Sequence, residues 1–270
     1  MARRTAKLSA LASTAALLLP VLLGIAAADQ PFDYFANSWS LLGLKDYKDG
    51  TRLTPTNELL LSGGRKLQVR YGHRLTPLGR EHTKTLLDGW LPVVLLSAQD
   101  EAVRYDFTLW ATPLPTVQDW RKAFDWPTET GNFLNWVRVR VTNLGRARAE
   151  AQMHVAEAGA VWSPPAYVWN LRPGQSEEGV RYVPFHPLEG PPSAGEEYAR
   201  TWLDRTVAYW RGLLAQTARI EVPCRKATEA LRAAHVCQLI ANDHGVLHGG
   251  EGFYDEFYVR DGGYQLMELE

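Results

Sequence analysis

Near the end of this 270-residue chain stands Phe253-Tyr254-Asp255-Glu256-Phe257-Tyr258-Val259-Arg260-Asp261-Gly262-Gly263-Tyr264, which gathers aromatic rings, carboxylates and one guanidinium between two helical patterns. Those residue types suit a sugar: flat apolar faces pack against its ring, and charged groups bind its hydroxyls. Arg260 and Asp261 carry that chemistry, with Tyr258 as the adjoining ring. Asp261 also precedes Gly262-Gly263 and a helical pattern, so it reads equally as an N-cap with Arg260 as a solvated or ion-paired neighbour. The two roles are compatible, because one carboxylate oxygen can cap while the other binds.

Glu251, Asp255 and Glu256 are the other carboxylates within reach of this loop. Each reads as solvated loop charge or helix capping, so no catalytic acid or base is assigned. His244 and His248 stand four apart beside Asp243, which invites a metal; Gly245, Gly249 and Gly250 make the stretch a loop and remove the helical placement that would aim both imidazoles at one ion. A polar loop is expected there, with no metal and no cofactor. Trp110, Trp120, Trp126 and Trp136 could form a sugar platform, but packing is the commoner fate of such residues. The chain holds no phosphate loop, dinucleotide fingerprint or serine nucleophile elbow.

From about residue 32 to 187 the dominant period is two, the mark of strands with one face in a core. Val103, Tyr105, Phe107 and Leu109 alternate with Arg104, Asp106 and Thr108. Leu59 and Leu61, then Ser62-Gly63-Gly64, then Leu67, Val69 and Tyr71 predict a hairpin. A second and clearer one is predicted from Val137, Val139 and Val141, through Thr142-Asn143-Leu144-Gly145, to Ala147, Ala149, Ala151, Met153 and Val155. The run Leu91-Pro92-Val93-Val94-Leu95-Leu96 fits a strand covered on both sides. Residues 29–187 therefore read as an antiparallel β-sandwich. Residues 188–198, with Pro191-Pro192-Ser193-Ala194-Gly195, read as a linker, and from residue 199 the period becomes helical: Leu203, Val207, Trp210 and Leu214, then Ala230, Ala234, Cys237 and Ala241 behind Pro223. A last helix is expected to open at Asp261, and the chain reads as stopping inside it, the front part of a longer protein.

Arg3, Arg4 and Lys7, the apolar run Leu8 to Ile25, and Ala26-Ala27-Ala28 make residues 1–28 a signal peptide, so an exported protein, periplasmic or extracellular, is expected, without stable membrane contact after cleavage. With 29 basic and 30 acidic residues the chain has no field of one sign to recruit nucleic acid, which is excluded as a partner. Cys224 and Cys237 lie in one predicted helix, roughly 20 Å apart at ~1.5 Å per residue, and are expected not to pair.

Tyr258-Val259-Arg260-Asp261-Gly262-Gly263-Tyr264, behind a helix pair and a β-domain, resembles the aromatic-x-Arg-Asp-Gly-x-Tyr loop of glucoamylase-like enzymes of the six-hairpin glycosidase superfamily. The resemblance implies a toroid of helical hairpins behind a β-sandwich, residues 199–270 being its incomplete start. It also implies that Arg260 and Asp261 bind an oligo- or polysaccharide at the cleavage subsite. The intact protein would then be a glycoside hydrolase of carbohydrate metabolism whose acid and base lie on later hairpins, leaving this stretch inactive alone. Val259 stands where that loop commonly has proline, and Tyr258 where it has tryptophan. Two alternatives remain: a non-catalytic carbohydrate-binding β-sandwich, and a polysaccharide lyase or phosphorylase on the same toroid.

Overall fold

The computed structural model describes residues 38–79, 83–128, 130–157, 166–189, 196–250 and 256–269, all in one compact unit. The expected leader and residues 190–195 of the expected linker lie outside them. Short strands come first: β1 (Ser40–Leu42), β2 (Thr51–Leu53), β3 (Leu59–Leu60), β4 (Lys66–Tyr71), β5 (Thr76–Pro77) and β6 (Thr83–Leu86). Longer ones follow: β7 (Val94–Asp100), β8 (Val103–Pro113), β9 (Phe133–Asn143), β10 (Ala149–Glu157), β11 (Tyr167–Leu171) and β12 (Ser176–Pro184). Four helices complete the described chain, a short α1 (Trp120–Asp125) between β8 and β9, then α2 (Glu196–Leu214), α3 (Arg225–Ala241) and α4 (Val259–Leu269).

The strands form two antiparallel sheets, one in the order β1-β2-β3-β4-β10-β11 with β5 beside β4, the other in the order β12-β9-β8-β7-β6. They face each other as a β-sandwich. Tyr71 of β4 meets Tyr105 and Phe107 of β8 at centroid distances of 5.1 and 6.2 Å, and the Tyr105 hydroxyl accepts the Gln152 N–H from β10. The predicted β3–β4 hairpin is present, with Leu59 opposite Leu67 and the turn held by Gly63 and Gly64 at positive φ. Beyond them, the guanidinium of Arg65 stitches the layers: it pairs with Glu157 through two bonds of 2.5 and 2.9 Å and donates to the carbonyls of Pro184 and Phe185 in the facing sheet.

The hairpin predicted from Val137–Val141 to Ala147–Val155 is not formed. β9 pairs with β8 and β12, whereas β10 pairs with β4 and β11 in the other sheet. The intervening turn is a corner. Buried Asn143 takes the Gly145 N–H on Oδ1 and donates through Nδ2 to the carbonyls of Ala147 and Leu171, which carries the chain across the core. Period two fixes which face of a strand is buried but not which neighbour it pairs with, so both arrangements satisfy the same alternation. The apolar run at Leu91 is buried except at half-buried Leu95, and its ladder begins only at Val94.

Along β8 the outer face changes character: Arg104 is exposed, while Thr108, Trp110 and Thr112 are buried. Trp110 stands opposite Trp136 of β9, their rings stacked at 5.7 Å, and α2 covers both, laying Tyr198 at 5.8 Å from Trp136. Trp202 and Trp210 of α2 are themselves buried. This helix starts at Glu196, inside the stretch expected to be linker.

α3 is fastened to the β1–β2 loop by backbone bonds. The Asp46 N–H donates to Leu239 O, its carbonyl accepts from His244 N, and its carboxylate takes Lys45 Nζ at 2.7 Å and Gly245 N at 3.3 Å. Asp46 is buried and left-handed, at φ 59°, a conformation such dense bonding can hold. Cys224 sits at the N-cap of α3 and Cys237 within it, and both are free thiols. Among the described residues no helix is long and apolar enough to cross a membrane.

Candidate functional site

The loop singled out by its chemistry leads into α4. The Tyr258 carbonyl accepts the Gly262 N–H at 2.7 Å, so the helix opens at Val259 and not at Asp261. Asp261 is therefore the third residue of the helix, and the N-cap role expected for it falls away. The pattern misled because aspartate is a favoured N-cap, whereas here it lies inside the first turn, with Gly262 and Gly263 helical after it. Gly262 is small for a steric reason: a Cβ there would stand 2.7 Å from the Phe257 ring, which folds back over the first turn. Asp261 keeps a favourable position, since a carboxylate in the first turn complements the partial positive charge of the helix N-terminus.

Arg260 and Asp261 are adjacent, with Nη2 to Oδ1 at 3.4 Å, a loose exposed pair that adds little stability. The guanidinium is 83% exposed and the carboxylate 41%, so both heads remain available to a ligand. Phe257, Tyr258 and Tyr264, close to them in the chain, are exposed, as are the apolar side chains of Val259, Leu266 and Met267 on α4. Glu256 is exposed; Glu251 and Asp255, the other carboxylates of the loop, lie outside the described residues.

The His244 ring lies 6.0 Å from that of exposed Trp126, and its Nδ1 is 3.4 Å from Asp243. The His248 carbonyl accepts from Gln238 of α3 at 3.2 Å and from Gln265 of α4 at 2.6 Å, tying the two helices together.

Two further hollows had no clear signature in the sequence. One, of about 590 Å³, lies on the sandwich beside Gly63-Gly64, walled by Asp49, Arg52, Lys66 and His186. Burial, aided by Arg65, holds the His186 imidazole below its usual pKa, while the Arg65 hydrogen bonds hold the Glu157 carboxyl below the ordinary carboxylate range. The other, of about 620 Å³, runs between the β8–α1 loop and α2, with Trp120, Trp202 and Arg205 on its walls. Of the four tryptophans considered as a platform, Trp110 and Trp136 are core, Trp126 is exposed, and Trp120 borders this second hollow. Helical periodicity on α2 and the aromatic character of Trp120 were visible, but their meeting requires the fold.

No family model matches the chain, and neither does any curated protein or solved structure.

Proposed function

We propose that this chain forms the N-terminal part of an exported glycoside hydrolase of the six-hairpin type, in which Arg260, Asp261 and Tyr258 contact the sugar. The observation that carries the reading is the exposed Arg260–Asp261 pair on the first turn of α4, close in the chain to the exposed rings of Phe257, Tyr258 and Tyr264. A planar donor fork beside a carboxylate matches neighbouring hydroxyls, each of which both donates and accepts. The sandwich with helices docked against it is consistent with that architecture. The exposed apolar side chains of α4 offer a surface that further helices of a toroid would cover. Hydrolysis itself would come from a carboxylate pair on those later hairpins, one protonating the leaving oxygen and one acting on water or on the anomeric carbon.

The test uses the protein expressed from its whole reading frame, assayed against α- and β-linked gluco-, manno- and galacto-oligosaccharides. Arg260→Ala and Asp261→Ala should each lower hydrolysis at least tenfold without a comparable loss of thermal stability. Because Asp261 is no N-cap, its loss costs the helix only about 0.3–1 kcal/mol through the dipole, which keeps the two effects separable. Wild-type rates in both variants would remove the sugar-contact role. The hollow on the sandwich favours a second reading, a β-domain that binds carbohydrate without cleaving it. Binding without turnover, lost in Arg52→Ala and kept in Asp261→Ala, would select it.

A further inference from the structure

We propose that the cleft between the β8–α1 loop and α2 is a second saccharide site, one that takes an uncharged stretch of a sugar chain. It shares no residue with the Arg260–Asp261 loop, and it depends on the carbohydrate reading only for its ligand class. Its walls are fixed by local structure. Trp120 opens α1, where Asp119 caps the helix by accepting the Lys122 N–H, and Trp202 is buried on α2 with its ring 6.0 Å from that of Trp120.

Arg205 occupies the angle between the two indoles, its Cζ 4.7 Å from the Trp120 centroid and 4.9 Å from the Trp202 centroid. The two indole planes stand 79° apart, so the guanidinium can lie flat on at most one of them, and contact with both fixes its position. Among the described residues Arg205 makes no ion pair or hydrogen bond, so its position is held by the indoles and it has donors to offer a ligand. Arg121 lies over the same Trp120 indole at 4.5 Å, outside the cleft walls, and steadies the ring.

The ligand class follows from what accompanies the arginine. Glu197, Thr201 and Arg205 recur every four residues on α2 and all border the cleft, so they lie along one side of the helix. Glu197 and Arg205 are eight positions apart, a rise of ~12 Å, which explains why they do not pair with each other. The result is a row with an acceptor at one end, a hydroxyl in the middle and a donor fork at the other, and Gln118 faces it from the loop. A carboxylate acceptor, a hydroxyl and guanidinium donors set along one side of a helix fit successive hydroxyls of an extended oligosaccharide. A compact anion would gain from Arg205 but be opposed by Glu197 in the same cleft.

The experiment is calorimetric titration of the full protein with maltohexaose, cellohexaose, xylohexaose and mannohexaose, and with an oligogalacturonate of the same length. Arg205→Gln, Thr201→Val and Glu197→Gln alter groups on the cleft wall rather than the core, and circular dichroism melts confirm that each variant is folded. The expected result is binding of at least one neutral hexaose, weakened tenfold or more by Arg205→Gln and by Glu197→Gln but unchanged by Asp261→Ala. Binding lost in Asp261→Ala and intact in both cleft variants would overturn this site while leaving the primary sugar contact standing. Tighter, Arg205-dependent binding of the galacturonate would overturn the assignment of an uncharged ligand. An absence of binding by every oligosaccharide would overturn both sites.

Discussion

Replacing Arg65 by Met keeps the stem and removes the guanidinium that joins the two sheets. At side-chain exposures of 19% and 24% the Arg65–Glu157 pair is largely shielded from water, so its loss falls between the exposed and buried cases, about 2 kcal/mol. The bond to Pro184 O adds about 1 kcal/mol, whereas Phe185 O keeps a second donor in Ser62 Oγ at 2.7 Å. The sum is about 3 kcal/mol, a fall in urea midpoint of roughly 1 M at a slope of about 3 kcal/mol per M. The pH dependence has a definite sign. The folded protein holds Glu157 below its unfolded pKa, so the unfolded chain binds the extra proton as pH falls. The stabilisation is therefore whole above the unfolded carboxylate pKa and is lost as pH drops through the folded value. Urea melts of wild type, Arg65→Met, Glu157→Gln and the double variant from pH 3 to 7 should show a coupling of about 2 kcal/mol at pH 7 that shrinks toward pH 3. A single-variant cost under about 0.5 kcal/mol, or a coupling indifferent to pH, would refute the reasoning.

Gly263 is helical, and a Cβ there meets nothing within 4 Å. Gly263→Ala should stabilise α4 by about 0.8–1 kcal/mol, read as slower amide exchange in that helix, and unchanged exchange would contradict the helical assignment. Burial pushes the hydroxyls of Tyr47 and Tyr105 up to about 12. Burial raises Tyr198 and Tyr209 as well, so absorbance titration should show at least four tyrosines ionising late, with stability intact below pH ~10 and declining as pH rises toward the folded values. Full tyrosine ionisation near pH 10 in the folded protein would contradict that burial.

The sandwich was legible because its strands hide one face each, and alternation at Val103–Leu109 and Val137–Val141 reports that burial directly. Partner choice was not, since the corner at Asn143 turns on side-chain amide bonds to Ala147 and Leu171 that no spacing announces. One clue to the docking of α2 was present. Alternation fails where Trp110 and Trp136 occupy outer positions, because a helix has replaced water there. At the candidate site Arg260, Asp261 and Tyr258 were found by type and order, and the start of their helix was misplaced because aspartate is a favoured N-cap. The cleft on α2 was missed: Trp120 and Arg205 are 85 positions apart and become neighbours only through tertiary folding.

Asp46 bears on how the chain could be dissected. Its backbone and carboxylate close over the C-terminal end of α3 from the sandwich side, and α2 roofs the paired indoles of β8 and β9. Scission between the strands and the helices would leave a left-handed buried aspartate without its clasp and two tryptophans facing solvent. An excised sandwich should therefore be sticky and prone to aggregate, and the practical cloning boundary lies beyond α3, well past the proline-rich stretch that composition marks as a seam.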